Sequence, residues 1–139
     1  MNTPVSFPLA KLLMEKGFDE PCSHAYKEHE SPVLYIHQDK KYNNSFKKEW
    51  RNTVRKNSQM DNAIINRYSA PTIVEVIMWL YQKHGIWIEV RFLESFKTFY
   101  FELININNLK GMTSKGENHF NSPTEAYEAA IEYALNNLI

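Results

Sequence analysis

Apolar and polar residues alternate with a period of two along residues 86–94 and again along residues 99–106. Such alternation is typical of β-strands, whose successive side chains point to opposite faces. A turn around residues 95–96 joins the segments into an antiparallel hairpin and places the large apolar residues on one face, as the pairs Phe92 with Phe99, Val90 with Phe101, and Ile88 with Leu103. A slip of one residue would move this set to the opposite face, so the pattern predicts the register as well as the hairpin.

Helix signals lie on both sides of this hairpin. Before it, Pro71 suits a first helical turn, Thr72 and Glu75 have capping-box spacing, and Gly85 is a stop signal. This helix is apolar on nearly every side, which predicts that it is largely buried. After a polar loop over residues 107–121, a final helix begins at Ser122-Pro123-Thr124-Glu125, and its apolar stripe consists of Tyr127, Ala130, Ile131, Ala134, Leu135 and Leu138.

The first half of the chain carries weaker signals. Residues 9–16 predict a short helix that Gly17 ends, and residues 33–36 predict a short strand. Residues 45–56 fit an amphipathic helix, followed by a polar loop over residues 57–66. Together the elements predict a two-layer α+β fold, in which an antiparallel hairpin, possibly with a third short strand, packs on helices.

Composition places the chain among folded proteins of ordinary domain size. It has 139 residues, of which 43% are hydrophobic and 14% aromatic, so disorder is not expected over most of its length. We predict one domain over residues 1–139, subdivided into residues 1–67 and the helix–hairpin–helix of residues 68–139. No apolar run reaches the length of a membrane span, residues 1–8 lack a signal-peptide pattern, and a lone cysteine fits a reducing compartment. These features predict a cytoplasmic location.

Three stretches carry a resemblance: residues 9–18, residues 70–86 with the run APTIVEV, and residues 120–139 with the run SPTEAYEAAIE. They resemble a group of small phage and prophage proteins of gut Bacteroidota, for which no activity is known. The resemblance covers roughly two thirds of the chain, and the basic middle segment matches least. The shared residues are mostly caps and core positions. The resemblance therefore implies a phage-like, cytoplasmic protein and adds no catalytic residue.

Basic residues concentrate in the middle of the chain, although the formal net charge is zero. Lysine and arginine neutralise phosphates, and an interleaved aromatic ring can stack on bases. The predicted basic helix is therefore a candidate nucleic-acid site, with the residues Lys47, Lys48, Trp50, Arg51 and Arg55. The alternative is that Phe46, Trp50 and Val54 dock this helix on the core and leave its cations in solvent.

The second face of the hairpin mixes apolar, aromatic and charged residues. On it we predict a protein interface made of Trp87, Arg91, Leu93, Tyr100 and Ile104. Glu89 lies directly opposite Glu102, and Arg91 lies diagonal to Glu102, where it can moderate their repulsion. This face is covered either by the first half of the chain or by a partner, which includes a second copy in a homodimer.

Residues with catalytic or metal-binding potential are few. Cys22, His24 and His29 lie close together in sequence, with His37 further on, but their spacing matches no recognised zinc or thiol-enzyme pattern. His84 lies in the last turn of a predicted helix, where a cation complements the helix dipole. Phosphate-loop, H-E-x-x-H and G-x-S-x-G motifs are absent from the sequence. We therefore expect no cofactor and no metal.

Three functional hypotheses follow from these observations. The first is a non-enzymatic interaction or accessory protein of a phage or mobile element that acts through a surface patch, with a homodimer as one possibility. The second is a nucleic-acid-binding accessory protein that uses the basic helix. The third and weakest is an enzyme centred on Cys22 and the nearby histidines.

Overall fold

The structure is a computed structural model that describes residues 3–28, 32–36, 53–56, 64–115 and 118–139. Within these residues it contains three helices and two antiparallel sheets, which confirms the predicted α+β class. The chain divides into two compact units, Pro4–Thr72 and Ile73–Ile139, with Met1–Thr3 joined to the second. Their boundary lies a few residues after the subdivision predicted at residues 67–68. That all 139 residues form a single domain stays a prediction.

Among its described residues, the unit Pro4–Thr72 combines one helix with a four-stranded sheet of order β2-β1-β4-β3, in which every paired strand is antiparallel. Its elements are α1 (Phe7–Glu15), β1 (His24–Glu28), β2 (Pro32–Ile36), β3 (Thr53–Lys56) and β4 (Ile64–Ser69). Helix α1 confirms the first predicted helix, and β2 confirms the strand predicted at residues 33–36.

Aromatic contacts hold α1 on its sheet. The Phe7 ring meets Tyr26 and Tyr68 edge-on, with centroids 5.3 and 5.6 Å apart, and the Tyr26 hydroxyl donates to the Val5 carbonyl at 2.9 Å. Such edge-to-face pairs add to the stability that burial of the rings provides. Leu13 is fully buried beside them.

Two predictions for the middle of the chain are wrong where the structure describes it. The predicted helix over residues 45–56 has β-structure at residues 53–56, and the loop predicted over residues 57–66 is strand from residue 64 onward. Residues 45–52 lie outside the described residues. The physical reason is pairing, since Val54 and Arg55 are aligned with Asn66 and Ile65 in an antiparallel ladder, and such partners outweigh a local helical pattern.

The unit Ile73–Ile139 places two helices on a three-stranded antiparallel sheet of order β5-β6-β7. Its elements are α2 (Ile73–His84), β5 (Ile86–Leu93), β6 (Thr98–Asn105), β7 (Gly111–Thr113) and α3 (Pro123–Asn137). The hairpin register is confirmed, because Phe92 is paired with Phe99, and the ladder continues as Val90 with Phe101 and Ile88 with Leu103. Strand β7 corrects the loop predicted over residues 107–121.

The core of this unit lies between its helices and one face of the sheet. Helix α3 packs on β5 and β6, and α2 packs on β5 and α3. The side chains buried in this unit include Val76, Leu80, Ile86, Ile88, Phe101, Leu103, Ala130, Ile131 and Leu135. The prediction that α2 is largely buried is wrong on one side, where Val74, Met78 and Tyr81 are about 40% exposed. Phe92 has the predicted facing but is 54% exposed.

The predicted end of α2 at Gly85 and the predicted start of α3 at Ser122 are confirmed. Helix α2 begins at Ile73, so Pro71 precedes its first turn, and the Thr72–Glu75 capping box stays a prediction. Gly85 follows α2 with a φ of +66°, a conformation that glycine adopts readily. Ser122 is the N-cap of α3, and its Oγ accepts from the Glu125 amide at 3.2 Å. The Glu125 carboxylate in turn accepts from the amide of Asn121 at 3.1 Å. These bonds satisfy donors that the helix itself leaves open.

A buried serine continues the β6–β7 ladder where β7 ends. The Ser114 amide donates to the Phe101 carbonyl at 2.9 Å, and the Phe101 amide donates to Ser114 Oγ, also at 2.9 Å. We expect Ser114→Ala to lower the free energy of unfolding by about 1–3 kcal/mol, because a buried amide then loses its acceptor. Urea unfolding followed by circular dichroism measures this change.

Thr113→Ala is the matched control for this substitution. Thr113 Oγ1 accepts a hydrogen bond from the exposed Lys115 amide at 3.2 Å. Removal of this hydroxyl should change the free energy of unfolding by less than about 0.5 kcal/mol. Equal losses in the two variants would contradict a structural role for the Ser114 hydroxyl.

Candidate interaction surface

A groove of about 290 Å³ lies on the three-stranded sheet, with a lining drawn from all three strands. Its lining residues are Trp87, Glu89, Glu102, Leu103, Ile104, Gly111, Met112 and Thr113. Trp87 and Ile104 are direct cross-strand partners on the face away from the helices, and they are 42% and 41% exposed. Gly111 pairs with Ile104 from the other side, and its missing side chain leaves room in the groove.

A charged cluster borders this groove. Glu89 lies directly opposite Glu102, as predicted, and Arg91 bridges them, with its Nη2 2.8 Å from Glu89 Oε2 and its Nε 3.5 Å from Glu102 Oε2. The hydrogen bond to Glu89 and the charge of Glu102 raise the pKa of Arg91 above its usual value. All three side chains are substantially exposed, so these pairs add little to stability. They do hold two acidic side chains and one basic side chain in place beside the groove.

The five residues predicted as an interface differ in accessibility. Trp87, Ile104 and Arg91 are exposed, and Leu93 is half-buried. Tyr100 is only 7% exposed, with Lys115 Nζ 5.7 Å from its ring centroid. The structure therefore brings Trp87 and Ile104 together as the apolar part of the surface, and Tyr100 offers little area for contact.

Residues 111–113 are groove residues that the sequence pattern missed, because the segment reads as part of a polar loop. The sequence marks this strand only by Met112 and Thr113, which follow Gly111. Tyr81 of α2 also borders this region, since its ring meets Trp87 edge-on at 5.7 Å. The exposed side of α2 is thus continuous with the exposed aromatic residue of β5.

Of the residues predicted to bind nucleic acid, the structure describes only Arg55. Lys47, Lys48, Trp50 and Arg51 lie outside the described residues, and Arg55 lies in strand β3. A nucleic-acid site on this segment therefore stays a prediction.

Cys22 is buried, and its thiol donates to the carbonyl of His24 at 3.2 Å. The His24 ring instead shares a hydrogen bond with Ser23 Oγ at 3.0 Å. His29 and His37 lie outside the described residues. Over the part of the chain that the structure covers, no three histidine, cysteine or acidic side chains group as metal ligands.

His84 lies in the last turn of α2, as predicted, and its ring meets Trp79 at 4.8 Å between centroids. Burial lowers the pKa of the His84 imidazole. The predicted role of this residue beside the helix dipole stays a prediction. Burial, followed by the charge of Glu89, raises the pKa of the Tyr127 phenol, which stays protonated.

Comparison with known protein families, curated proteins and solved structures finds no match for this chain. The resemblance to phage proteins of Bacteroidota therefore stays a prediction. Among the described helices, none has the length and apolar character needed to cross a membrane.

Proposed function

We propose that this chain is a non-enzymatic interaction protein that binds a segment of another protein in the groove over Trp87 and Ile104. The observation that carries the proposal is this exposed tryptophan–isoleucine pair, which lines the groove together with Gly111. Exposed aromatic and aliphatic side chains in a concave site are the usual anchors of protein interfaces. An accessory role in a phage or mobile element is part of the proposal and is supported by the sequence resemblance alone.

The charges beside the groove define the chemistry of the partner. Glu89 and Glu102 both line it, and Arg91 is already held by both acids. A partner segment therefore complements the site when it places an apolar side chain on Trp87 and a lysine or arginine beside the two carboxylates. Acidic segments are disfavoured by the same two groups.

The test uses short synthetic peptides and the full chain labelled with nitrogen-15. One peptide carries leucine next to lysine, and a second carries leucine next to glutamate. We expect the first peptide alone to shift the indole resonance of Trp87 and the amide resonances of Ile104 and Gly111. Binding by the acidic peptide, or shifts that avoid these residues, would contradict the proposal.

Ile104→Ser is the variant that tests the groove directly. Loss of an isoleucine contact should weaken binding of the leucine–lysine peptide about tenfold or more. Leu109→Ser is a matched control, because Leu109 is 77% exposed and does not line the groove. The control should bind like the wild-type chain. An equal loss in both variants would show that the groove is not the binding site.

A further inference from the structure

Strand β5 forms one edge of the three-stranded sheet and is eight residues long. The Ile106 amide donates to the Gly85 carbonyl at 2.8 Å. This bond determines which alternate residues of β5 direct their main-chain groups to β6. In an antiparallel pair, alternate residues bond the neighbouring strand and the others point outward. The main-chain N–H and C=O groups of Ile88, Val90 and Phe92 are therefore directed to the edge that no described strand pairs.

The sequence of this edge is complementary to itself. An antiparallel copy of β5 with its two-fold axis at Val90 sets Glu89 against Arg91 twice, once from each copy. Among residues 87–93, the remaining pairs of this register set apolar residues against apolar residues: Val90 with Val90, Ile88 with Phe92, and Trp87 with Leu93. Opposite charges and apolar residues in direct cross-strand pairs both stabilise a sheet.

The neighbouring registers lack this complementarity. An axis at Glu89 places the two copies of that carboxylate against each other, and an axis at Arg91 does the same for two guanidinium groups. Like charges directly opposite destabilise strand pairs. The charges of Glu89 and Arg91 thus select the register centred on Val90.

Exposure on the helix side of the sheet agrees with this edge being an interface. Phe92 is 54% exposed, although it has the same facing as the buried Ile88. Helix α2 packs on β5, and α3 packs on both β5 and β6, so α2 lies toward the β5 side of the unit. Its side chains Val74 and Met78, one turn apart, are 38% and 41% exposed.

We propose that a second copy of this chain pairs with the β5 edge and forms a two-fold dimer with a continuous six-stranded sheet. Edge strands are templates for this kind of pairing, and two-fold dimers are the commonest assemblies of soluble proteins. The inference goes beyond the proposed function, because it depends on main-chain edge groups and on a charge pattern rather than on the groove. The dimer would carry two grooves on the same side of its sheet.

Two single charge reversals, Glu89→Arg and Arg91→Glu, test the register. Each variant would set like charges against each other twice across the two-fold axis and should raise the dimer dissociation constant roughly tenfold or more. An equimolar mixture of the two variants restores both opposite-charge pairs, and so does the double variant E89R/R91E. Both should therefore recover the dimer.

Sedimentation equilibrium of the full chain measures the association from about 1 μM to about 1 mM. We expect the wild-type mass to approach twice the 16.4 kDa of one chain as concentration rises. The proposal is overturned by a wild-type chain that stays monomeric throughout, by single variants that dimerise like wild type, or by no recovery in the mixture. Circular dichroism verifies that each variant is folded, as expected for exposed positions.

Ile104→Ser separates this proposal from the groove. Ile104 lies on β6, away from the paired edge, so this variant should keep the wild-type mass while it loses peptide binding. A wild-type chain that dimerises but does not bind the peptide would leave the edge proposal standing and remove the groove. Peptide binding by a strict monomer would do the reverse.

Discussion

Replacing Leu103 with aspartate should unfold the unit Ile73–Ile139, whereas the same change at the next residue should leave it folded. Leu103 is 2% exposed in the central strand, beneath the helices, and Ile104 is 41% exposed on the opposite face. Leu103→Asp removes buried apolar contacts and buries a carboxylate without a partner. We expect a loss of more than about 4 kcal/mol, which is a large fraction of the roughly 5–15 kcal/mol by which a typical domain is stable.

Ile104→Asp is the matched control on the same strand. Its carboxylate would remain in solvent, and repulsion from Glu102 should cost only a few tenths of a kcal/mol. Urea unfolding followed by circular dichroism compares both variants with the wild-type chain. Similar losses at the two positions would show that the sheet is covered on both faces, contrary to the structure.

The contrast between these two neighbours explains why the second half of the chain could be predicted. A period of two determines which residues share a face, and only one register joins Ile88, Phe101 and their neighbours on a single side. The caps at Gly85 and Ser122 are equally local, because each depends on residues within one turn. The two helices and the hairpin between them therefore follow from short stretches of sequence.

The four-stranded sheet could not be predicted in the same way. Its central pair joins β1 to β4, with Ala25 aligned with Ser69, although more than half of the first unit separates them in sequence. No local pattern encodes that partnership. Residues 53–56, the described end of the helix predicted over residues 45–56, also show why period alone misleads, since apolar residues every four positions fit a helix face and one face of a strand. Strand pairing decided the outcome for Thr53–Lys56.

The candidate site was predicted in part for the same reason. Trp87 and Ile104 follow from the strand alternation, and so does the bridging position of Arg91 between two acids. Gly111 was missed because β7 has only three residues and thus too few to show a period. Tyr100 lies on the expected face, but it is 7% exposed, with Lys115 Nζ 5.7 Å from its ring centroid, and no strand pattern locates Lys115.

Gly85→Ala should be the most damaging single-methyl change among the turns, with an expected loss of about 2–4 kcal/mol. Gly85 has a φ of +66°, where a side chain costs about 1–2 kcal/mol. An added Cβ would lie 2.6 Å from Asn107 Nδ2 and 3.3 Å from Ile106 Cγ1, so these neighbours must move. The backbone cannot easily relax, because its amide donates to Tyr81 and its carbonyl accepts from Ile106.

Gly17→Ala separates the two causes of this loss. Gly17 has a similar φ of +87°, but an added Cβ would meet nothing within 4 Å. Gly17→Ala should therefore lower the free energy of unfolding by about 1 kcal/mol, because only the backbone conformation opposes the new side chain. The lower entropy of the unfolded alanine chain reduces this loss somewhat. Thermal and urea unfolding of both variants give the comparison. Equal losses would mean that Asn107 moves aside freely, and that Gly85 is required only for its left-handed backbone.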